Sequence, residues 1–239
     1  YSGLKGTGPS GRIVNRDILA AANTATKAVA KPVAASAPAA PEVDDVEVKF
    51  SGMRKVVSTR MLQSHTEIPP VTQNIKVDVT ELVAFRKMLN EKTGKKYSVN
   101  DLILKATAKA LKMHPEMNVS YKDETTYIQH KHINIGMAVA LDSGLIVPVI
   151  KDADKLGLEE LSEKAKDLAT RAKENKLGAD EYKGSTFSVS NLGMFGIETF
   201  TPIVNQPNAA ILGVCAIEDE LALNAEGNVE VRKVMRLSC

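Results

Sequence analysis

With 239 residues, 44% of them hydrophobic but only 4% aromatic and none of them Trp, the chain has material for one or two domains built around an aliphatic core. Its 31 basic and 29 acidic side chains nearly cancel, to a net charge of +2, which argues against a general nucleic-acid binder. No apolar run reaches the ~18–20 residues needed to span a bilayer, no signal peptide opens the sequence, and Cys215 and Cys239 lack any paired spacing, which fits free thiols in a reducing compartment.

Residues 1–20 place Gly6, Gly8, Pro9 and Gly11 in a tight loop, after which Asn15 or Asp17 can start a short helix through Ile18 and Leu19. So short a segment cannot bury a core alone. Residues 21–45 are rich in Ala and Pro without apolar periodicity, a linker kept semi-extended by Pro32, Pro38 and Pro41. Residues 46–239 read as globular. Ser51 is expected to cap a helix whose apolar side holds Met53, Val56, Val57 and Met61, and Pro69-Pro70 stops it. A strand is expected over 71–79, with Val71, Ile75, Val77 and Val79 on one face. Thr80 is expected to cap a second helix bearing Leu82, Val83, Arg86 and Leu89 and ending near Gly94.

Ser98 and Asp101 have the spacing of a capping box, opening a third helix with the stripe Leu102, Ile103, Ala106, Ala110 and Leu111. Strands are expected around 119–122, 126–129 and 133–141, then a turn at Asp142-Ser143-Gly144 and a strand over 145–150. Residues 158–176 read as a long amphipathic helix with Leu161, Ala165, Leu168 and Ala172 inward. Three strands close the chain, near 186–190, 209–217 and 229–237. Long helices mixed with strand clusters indicate an α/β fold with a mixed sheet flanked by helices. Cys215, within an apolar strand, is expected to be a packed core thiol.

The densest chemistry lies in Gly184–Ile217. Its first strand sets Thr186, Ser188 and Ser190 on one face and Phe187 and Val189 on the other. Asn191-Leu192-Gly193-Met194-Phe195-Gly196 then breaks it with a glycine-punctuated turn, where backbone and hydroxyl donors can meet a ligand closely. No glycine-rich phosphate loop is present. His130 and His132, two apart on an expected strand, share a face, but nothing completes a metal site at metal spacing, and no metal is expected. His65 and His114 sit at helix ends, and neither has an evident nucleophile partner.

The run TFSVSNLGMFGIETFTPIVNQPNAAILGV closely resembles the core signature of the 2-oxoacid dehydrogenase acyltransferases, in the wording of the pyruvate type. The loop Gly6-Thr7-Gly8-Pro9-Ser10-Gly11-Arg12-Ile13 resembles the peripheral subunit-binding domain of the same enzymes. The resemblance therefore implies a partial subunit-binding domain at 1–20, a linker at 21–45, and a catalytic domain at 46–239 with a chloramphenicol-acetyltransferase-like fold. The implied reaction is transfer of an acetyl group from dihydrolipoyl-lysine to coenzyme A. Coenzyme A is a substrate here, and the lipoyl-lysine is expected on a domain absent from this chain. The implied partners are dihydrolipoamide dehydrogenase and the 2-oxoacid dehydrogenase components, with trimers building a larger cage. The implied compartment is bacterial cytoplasm or an organelle matrix, with no nucleic acid and no membrane involved.

The family's roles transfer position by position. Ser190 matches the serine that stabilises the oxyanion of the tetrahedral intermediate. Arg86, Ser98, Ser190 and Asn191 match coenzyme A contacts, Ser98 also being a helix cap. Lys5, Arg12 and Arg16 are the implied grip on acidic partner surfaces. A further family contact, an aspartate, is replaced by Ala140. The general base is the histidine of an Asp-His-Arg-x-x-Asp-Gly motif supplied by a neighbouring subunit. The run Met235-Arg236-Leu237-Ser238-Cys239 is the one that leads into that motif in relatives. The expectation is therefore a fragment, inactive alone, whose catalytic histidine lies beyond Cys239. The alternative is a non-catalytic core or partner-binding subunit of the same complex, which would lack that histidine altogether.

Overall fold

The structure is a computed structural model that describes residues 5–20, 45–50, 52–142 and 144–239. The chain divides into two compact units, Tyr1–Lys49 and Phe50–Cys239. In the first, residues 15–20 are helical, and one carboxylate closes the glycine loop ahead of them. Buried Asp17 accepts from Thr7 N at 2.8 Å, Thr7 Oγ1 at 2.6 Å and Val14 N at 3.0 Å. Those donors hold its carboxyl below the usual range, led by the Thr7 hydroxyl. Gly6 and Gly8 lie so close to the returning chain that an added Cβ would meet Arg12 O at 2.5 and 2.8 Å. Apart from Asp45, the expected linker lies outside the described residues, as does the expected cap Ser51.

The second unit runs α1 (Gly52–Glu67), β1 (Asn74–Asp78), α2 (Thr80–Thr93), α3 (Val99–Met113), β2 (Val119–Asp123), β3 (Thr126–Gln129), β4 (Ile135–Met137), β5 (Val139–Leu141), β6 (Gly144–Ile146), β7 (Val149–Ile150), α4 (Leu158–Lys173), β8 (Phe187–Asn191), β9 (Ile211–Leu223) and β10 (Val229–Ser238). Six strands form one sheet in the order β1-β10-β9-β8-β4-β7. It is mixed: β8 runs parallel to both neighbours, β9 and β4, while the outer pairings are antiparallel. Two-stranded ladders β2-β3 and β5-β6 stand apart from it. This is the expected mixed sheet with flanking helices.

The core forms where α3 and α4 meet the sheet. Leu104, Ile135, Ile150, Leu161, Val189 and Val214 are fully buried in one cluster, each contributing about 1.5–3 kcal/mol. α4 buries the expected stripe Leu161, Ala165, Leu168 and Ala172. α3 buries Leu102, Ile103 and Leu111 as expected, but Ala106 and Ala110 face out, and Leu104, Thr107 and Ala108 complete the buried stripe. Small alanines fit either face of a helix, and the larger Leu104 decides which one turns inward. In α1, Met53, Val57 and Met61 are half-buried, but Val56 is exposed and the buried residue is Ser64, whose Oγ donates to Val204 O at 2.6 Å. Among the described residues no helix is long and apolar enough to cross a membrane.

Several boundaries moved, each for a local reason. The strand expected over 71–79 shrinks to β1, with Val71 81% and Ile75 61% exposed. β1 is a sheet edge held only by β10, so only the end of the expected apolar face is covered: Val77 packs half-buried against the core, and Val79, just past β1, is buried in it. Thr80 does not cap α2. Asp78 Oδ1 accepts from Thr80 N at 2.9 Å, while Thr80 Oγ1 accepts from Lys233 N at 2.9 Å. The expected strand over 133–141 splits at Ala138, where backbone bonding switches: Met137 N donates to Pro148 O and Ala138 N to Val189 O. The strand over 145–150 is interrupted at Pro148, which has no N–H to give a ladder.

α4 stops at Lys173 rather than 176. Asn175 takes φ 55°, and Lys176 N reaches back to Arg171 O at 2.8 Å, a left-handed helix stop. β9 extends to Leu223 because its charged half pairs across with β10, Lys233 meeting Asp219 at 2.7 Å. His130 and His132 lie past the end of β3, not on a strand, because the chain turns away after Gln129.

Candidate functional site

β8 crosses the middle of the sheet, and its polar face is as the alternation predicted. Thr186 and Ser188 are buried there, at 3% and 1% exposure, and need partners inside the protein. Thr186 Oγ1 accepts from Asn134 N at 3.1 Å. Ser188 Oγ accepts from Asn208 Nδ2 at 2.8 Å and Asn205 Nδ2 at 3.4 Å. Asn208, itself 1% exposed, also donates to Ser185 Oγ at 3.2 Å. Sequence reasoning missed these asparagines. The signal was present: hydroxyls alternating into an apolar core demand buried donors, and the returning segment supplies Asn205 and Asn208 just before β9.

Ser190, the third hydroxyl of that face, differs from the other two. It is half-buried, and its side chain makes no hydrogen bond among the described residues. Opposite it on β9 stands Gly213, where an added Cβ would press on Phe200 Cζ at 3.0 Å. Among the described residues the Ser190 hydroxyl thus has both its proton and its lone pairs uncommitted.

The turn after Ser190 is firmly built. Leu192 N donates to Val214 O at 2.9 Å, and Gly193 N to Asn191 Oδ1 at 2.9 Å. Gly193 runs so close to β9 that an added Cβ would lie 2.6 Å from Cys215 O. Gly196 closes the turn at φ 71°. Cys215 is the expected core thiol, 2% exposed, and burial pushes its thiol up, away from nucleophilic chemistry.

The other expected residues are brought together only in part. Asn191 Nδ2 donates to Asn100 Oδ1 at 3.0 Å, joining the end of β8 to the first turn of α3. Ser98 is the N-cap of that helix. Its Oγ accepts from Asp101 N at 3.1 Å, and buried Asp101 accepts from Ser98 N at 2.8 Å and Ser162 Oγ at 2.8 Å. The capping box is therefore real, and only the Ser98 hydroxyl proton remains to donate. Arg86 sits half-buried on α2 with no hydrogen bond or ion pair among the described residues, its Nε buried without a partner. No hydrogen bond ties it to Ser98, Ser190 or Asn191. Ala140 is exposed on β5, opposite Leu145.

The histidines stand elsewhere. His130 Nε2 lies 2.7 Å from Ser120 Oγ, and His132 Nδ1 lies 2.7 Å from Asp152 Oδ1. His114 pairs with Glu116 at 3.0 Å, and His65 is in the last turn of α1. In the first unit Lys5 and Arg12 are exposed, while Arg16 Nη2 donates to Thr7 Oγ1 at 3.2 Å.

Comparison with known proteins places the chain in a family. The catalytic-domain model of the 2-oxoacid dehydrogenases acyltransferase family matches residues 42–239. A dihydrolipoyllysine-residue acetyltransferase component of the acetoin cleaving system of Bacillus subtilis is 42% identical over 220 residues, covering 90% of this chain and 53% of that protein. Component 3 of the mitochondrial pyruvate dehydrogenase complex acetyltransferase of Arabidopsis thaliana is 44% identical over 224 residues, covering 91% of this chain and 41% of that protein. The chain thus spans about half the length of the curated relatives it matches. The cubic core of the pyruvate dehydrogenase multienzyme complex superposes with TM-score 0.76 at 37% identity, over 84% of this chain and 87% of that one.

Proposed function

The chain belongs to the 2-oxoacid dehydrogenase acyltransferase family, and on that footing we propose that it is the core acyltransferase of a pyruvate-type complex, moving an acetyl group from dihydrolipoyl-lysine to coenzyme A. The observation that supports this best is Ser190: a hydroxyl with no hydrogen bond among the described residues, at the end of a buried strand whose other two hydroxyls are both satisfied.

The chemistry follows from the thiol. Coenzyme A has a thiol of the cysteine type, with an ordinary pKa of about 8.5, so a base must take its proton for rapid attack at the thioester carbonyl. The attack places negative charge on that oxygen. Ser190 donates a hydrogen bond to the oxyanion while keeping its proton, and collapse of the intermediate forms acetyl-coenzyme A and expels the dihydrolipoyl thiolate, which takes up the proton held by the base. Asn191 lies beside it as a coenzyme A contact. Arg86, without a counter-ion in the described chain, offers its guanidinium fork to a phosphate, and Ser98 offers the proton its cap leaves free.

Residues 1–20 form part of a subunit-binding domain in this proposal. Lys5, Arg12 and Arg16 are presented to acidic surfaces of dihydrolipoamide dehydrogenase and the 2-oxoacid dehydrogenase components. Residues 21–45 serve as the linker and 46–239 as the catalytic domain. The match to a cubic core supports assembly through homotrimers into a cage, and the bacterial and mitochondrial relatives support cytoplasm or matrix as the compartment.

The test is Ser190→Ala in the full-length protein, assayed with acetyl-dihydrolipoamide and coenzyme A. Loss of one oxyanion donor lowers kcat about 10²–10³-fold with little change in KM. Unchanged kcat removes Ser190 from the chemistry. An unmodified protein with no turnover favours a non-catalytic core subunit instead.

A further inference from the structure

A cavity of about 720 Å³ opens at the other end of β8, beside Ser185 and Thr186. Ser190 lies four residues further along, roughly 13 Å at strand rise. Three permanent cations reach this cavity from separate parts of the chain: Arg60 from α1, Lys131 from the segment between β3 and β4, and Lys183 from the turn ahead of β8. His130 and His132 flank Lys131 in its wall, and no carboxylate is among the lining residues. In a chain of net charge +2, that is a local concentration of one sign.

Three acids stand behind the wall and bond to its lining residues rather than facing the cavity themselves. Asp152 accepts from His132 at 2.7 Å and Lys155 at 2.9 Å, and Glu67 takes the amides of Gln63 and Gln206 at 3.1 and 3.4 Å. Asp180 stands 4.0 Å from Lys183. Arg60 and Lys131 form no ion pair among the described residues.

The walls are built from pinned backbone. Fully buried Asn118 clamps the 130–132 segment: its carbonyl accepts from His130 N at 2.9 Å, and its Nδ2 donates to His130 O at 3.1 Å and His132 O at 3.0 Å. Asn134 ties the opposite wall, donating to Gly184 O at 2.9 Å and accepting from Asp152 N at 2.9 Å. Arg171 grips Glu181 through two bonds, of 2.8 and 2.6 Å, and so steadies the turn before Lys183. Exposed Tyr121 and Tyr182 line the same cavity as the cations.

Two unpaired cations, one with a guanidinium fork, together with Lys183 only loosely held by Asp180 at 4.0 Å, suit a dianion with several acceptor oxygens better than a single carboxylate. The volume is that of a small-molecule site, and the two rings suit an organic body. We propose that this cavity binds a phosphorylated small molecule, with its phosphate on Arg60, Lys131 and Lys183 and its body against Tyr121 and Tyr182, apart from the groups assigned to coenzyme A.

Calorimetric titration of the chain with phenyl phosphate in ~0.1 M salt tests this, independently of any acyl transfer. One site is expected, with Kd of about 1 mM or below. Inorganic phosphate and benzoate are expected to bind more weakly, by about tenfold. The double variant Arg60→Gln with Lys131→Gln changes only exposed side chains and is expected to melt with the parent while losing about tenfold or more in affinity. If it melts early, Lys183→Gln provides the same comparison. Absence of binding, unchanged affinity in the variants, equal affinity for benzoate or for inorganic phosphate, or displacement of the probe by coenzyme A overturns the proposal.

Discussion

The two ends of β8 are built from similar residues and behave oppositely. At its start, hydroxyls and asparagines satisfy one another and frame an open, cationic cavity. At its end, Asn191 and Gly193 weld a turn against β9 and α3, and a single hydroxyl, Ser190, is left over. The difference shows that polar residues in a core strand are structural by default. Ser190 stands out as the member left without a partner in a frame where the neighbouring hydroxyls Thr186 and Ser188 each have one.

Breaking the tight end should cost most. Gly193→Val places a Cβ at 2.6 Å from Cys215 O, so the main chain must move. The expected loss is about 3 kcal/mol or more in urea unfolding, with near-normal stability ruling out the close approach. At the open end, Asn208→Ala removes the donor to buried Ser188 and should cost about 2 kcal/mol by the same measurement. If the loss is negligible, water or another donor replaces the amide.

A subtler variant, Asn100→Ala, frees Asn191 from α3. About 1 kcal/mol is expected, with faster amide exchange concentrated at Gly193, whose N–H Asn191 holds. Uniform exchange across the sheet would mean that the link does not organise the turn.

The smallest effect concerns the turn at Ala179–Tyr182. The Arg171 guanidinium, then the Gly178 N–H, hold Glu181 down from the ordinary 4.5 to about 2. A carboxylate with a lowered folded-state pKa stabilises fully above its unfolded value. Its contribution should therefore be intact above about pH 4.5 and disappear as the pH falls through about 2. Comparing unfolding of the parent and Glu181→Gln between those limits should show their difference narrowing with acid. A gap independent of pH would assign the effect to packing.

Legibility in the sequence followed the range of each interaction. The Ser98–Asp101 capping box, the inward stripe of α4, the hydroxyl face of β8 and the glycine turn all depend on residues a few positions apart, and each was readable. The first half of the 71–79 strand was not, because Val71 and Ile75 lie uncovered at or before an edge strand, whereas Val77 and Val79 reach the core. Nor was Thr80, whose hydroxyl goes to Lys233, far along the chain, rather than to its own helix.

By itself the sequence determined the α/β class, the family signature and the candidacy of Ser190, since propensity, periodicity and motif are local and survive without coordinates. Tertiary structure alone decided which hydroxyl of β8 stays unpaired, which helix holds Asn191, and that cations from α1, from the β3–β4 segment and from the turn before β8 share one cavity. Those outcomes depend on groups far apart in the chain, such as Asn100 and Asn191, 91 positions apart and meeting at 3.0 Å, and only the folded sheet sets that encounter.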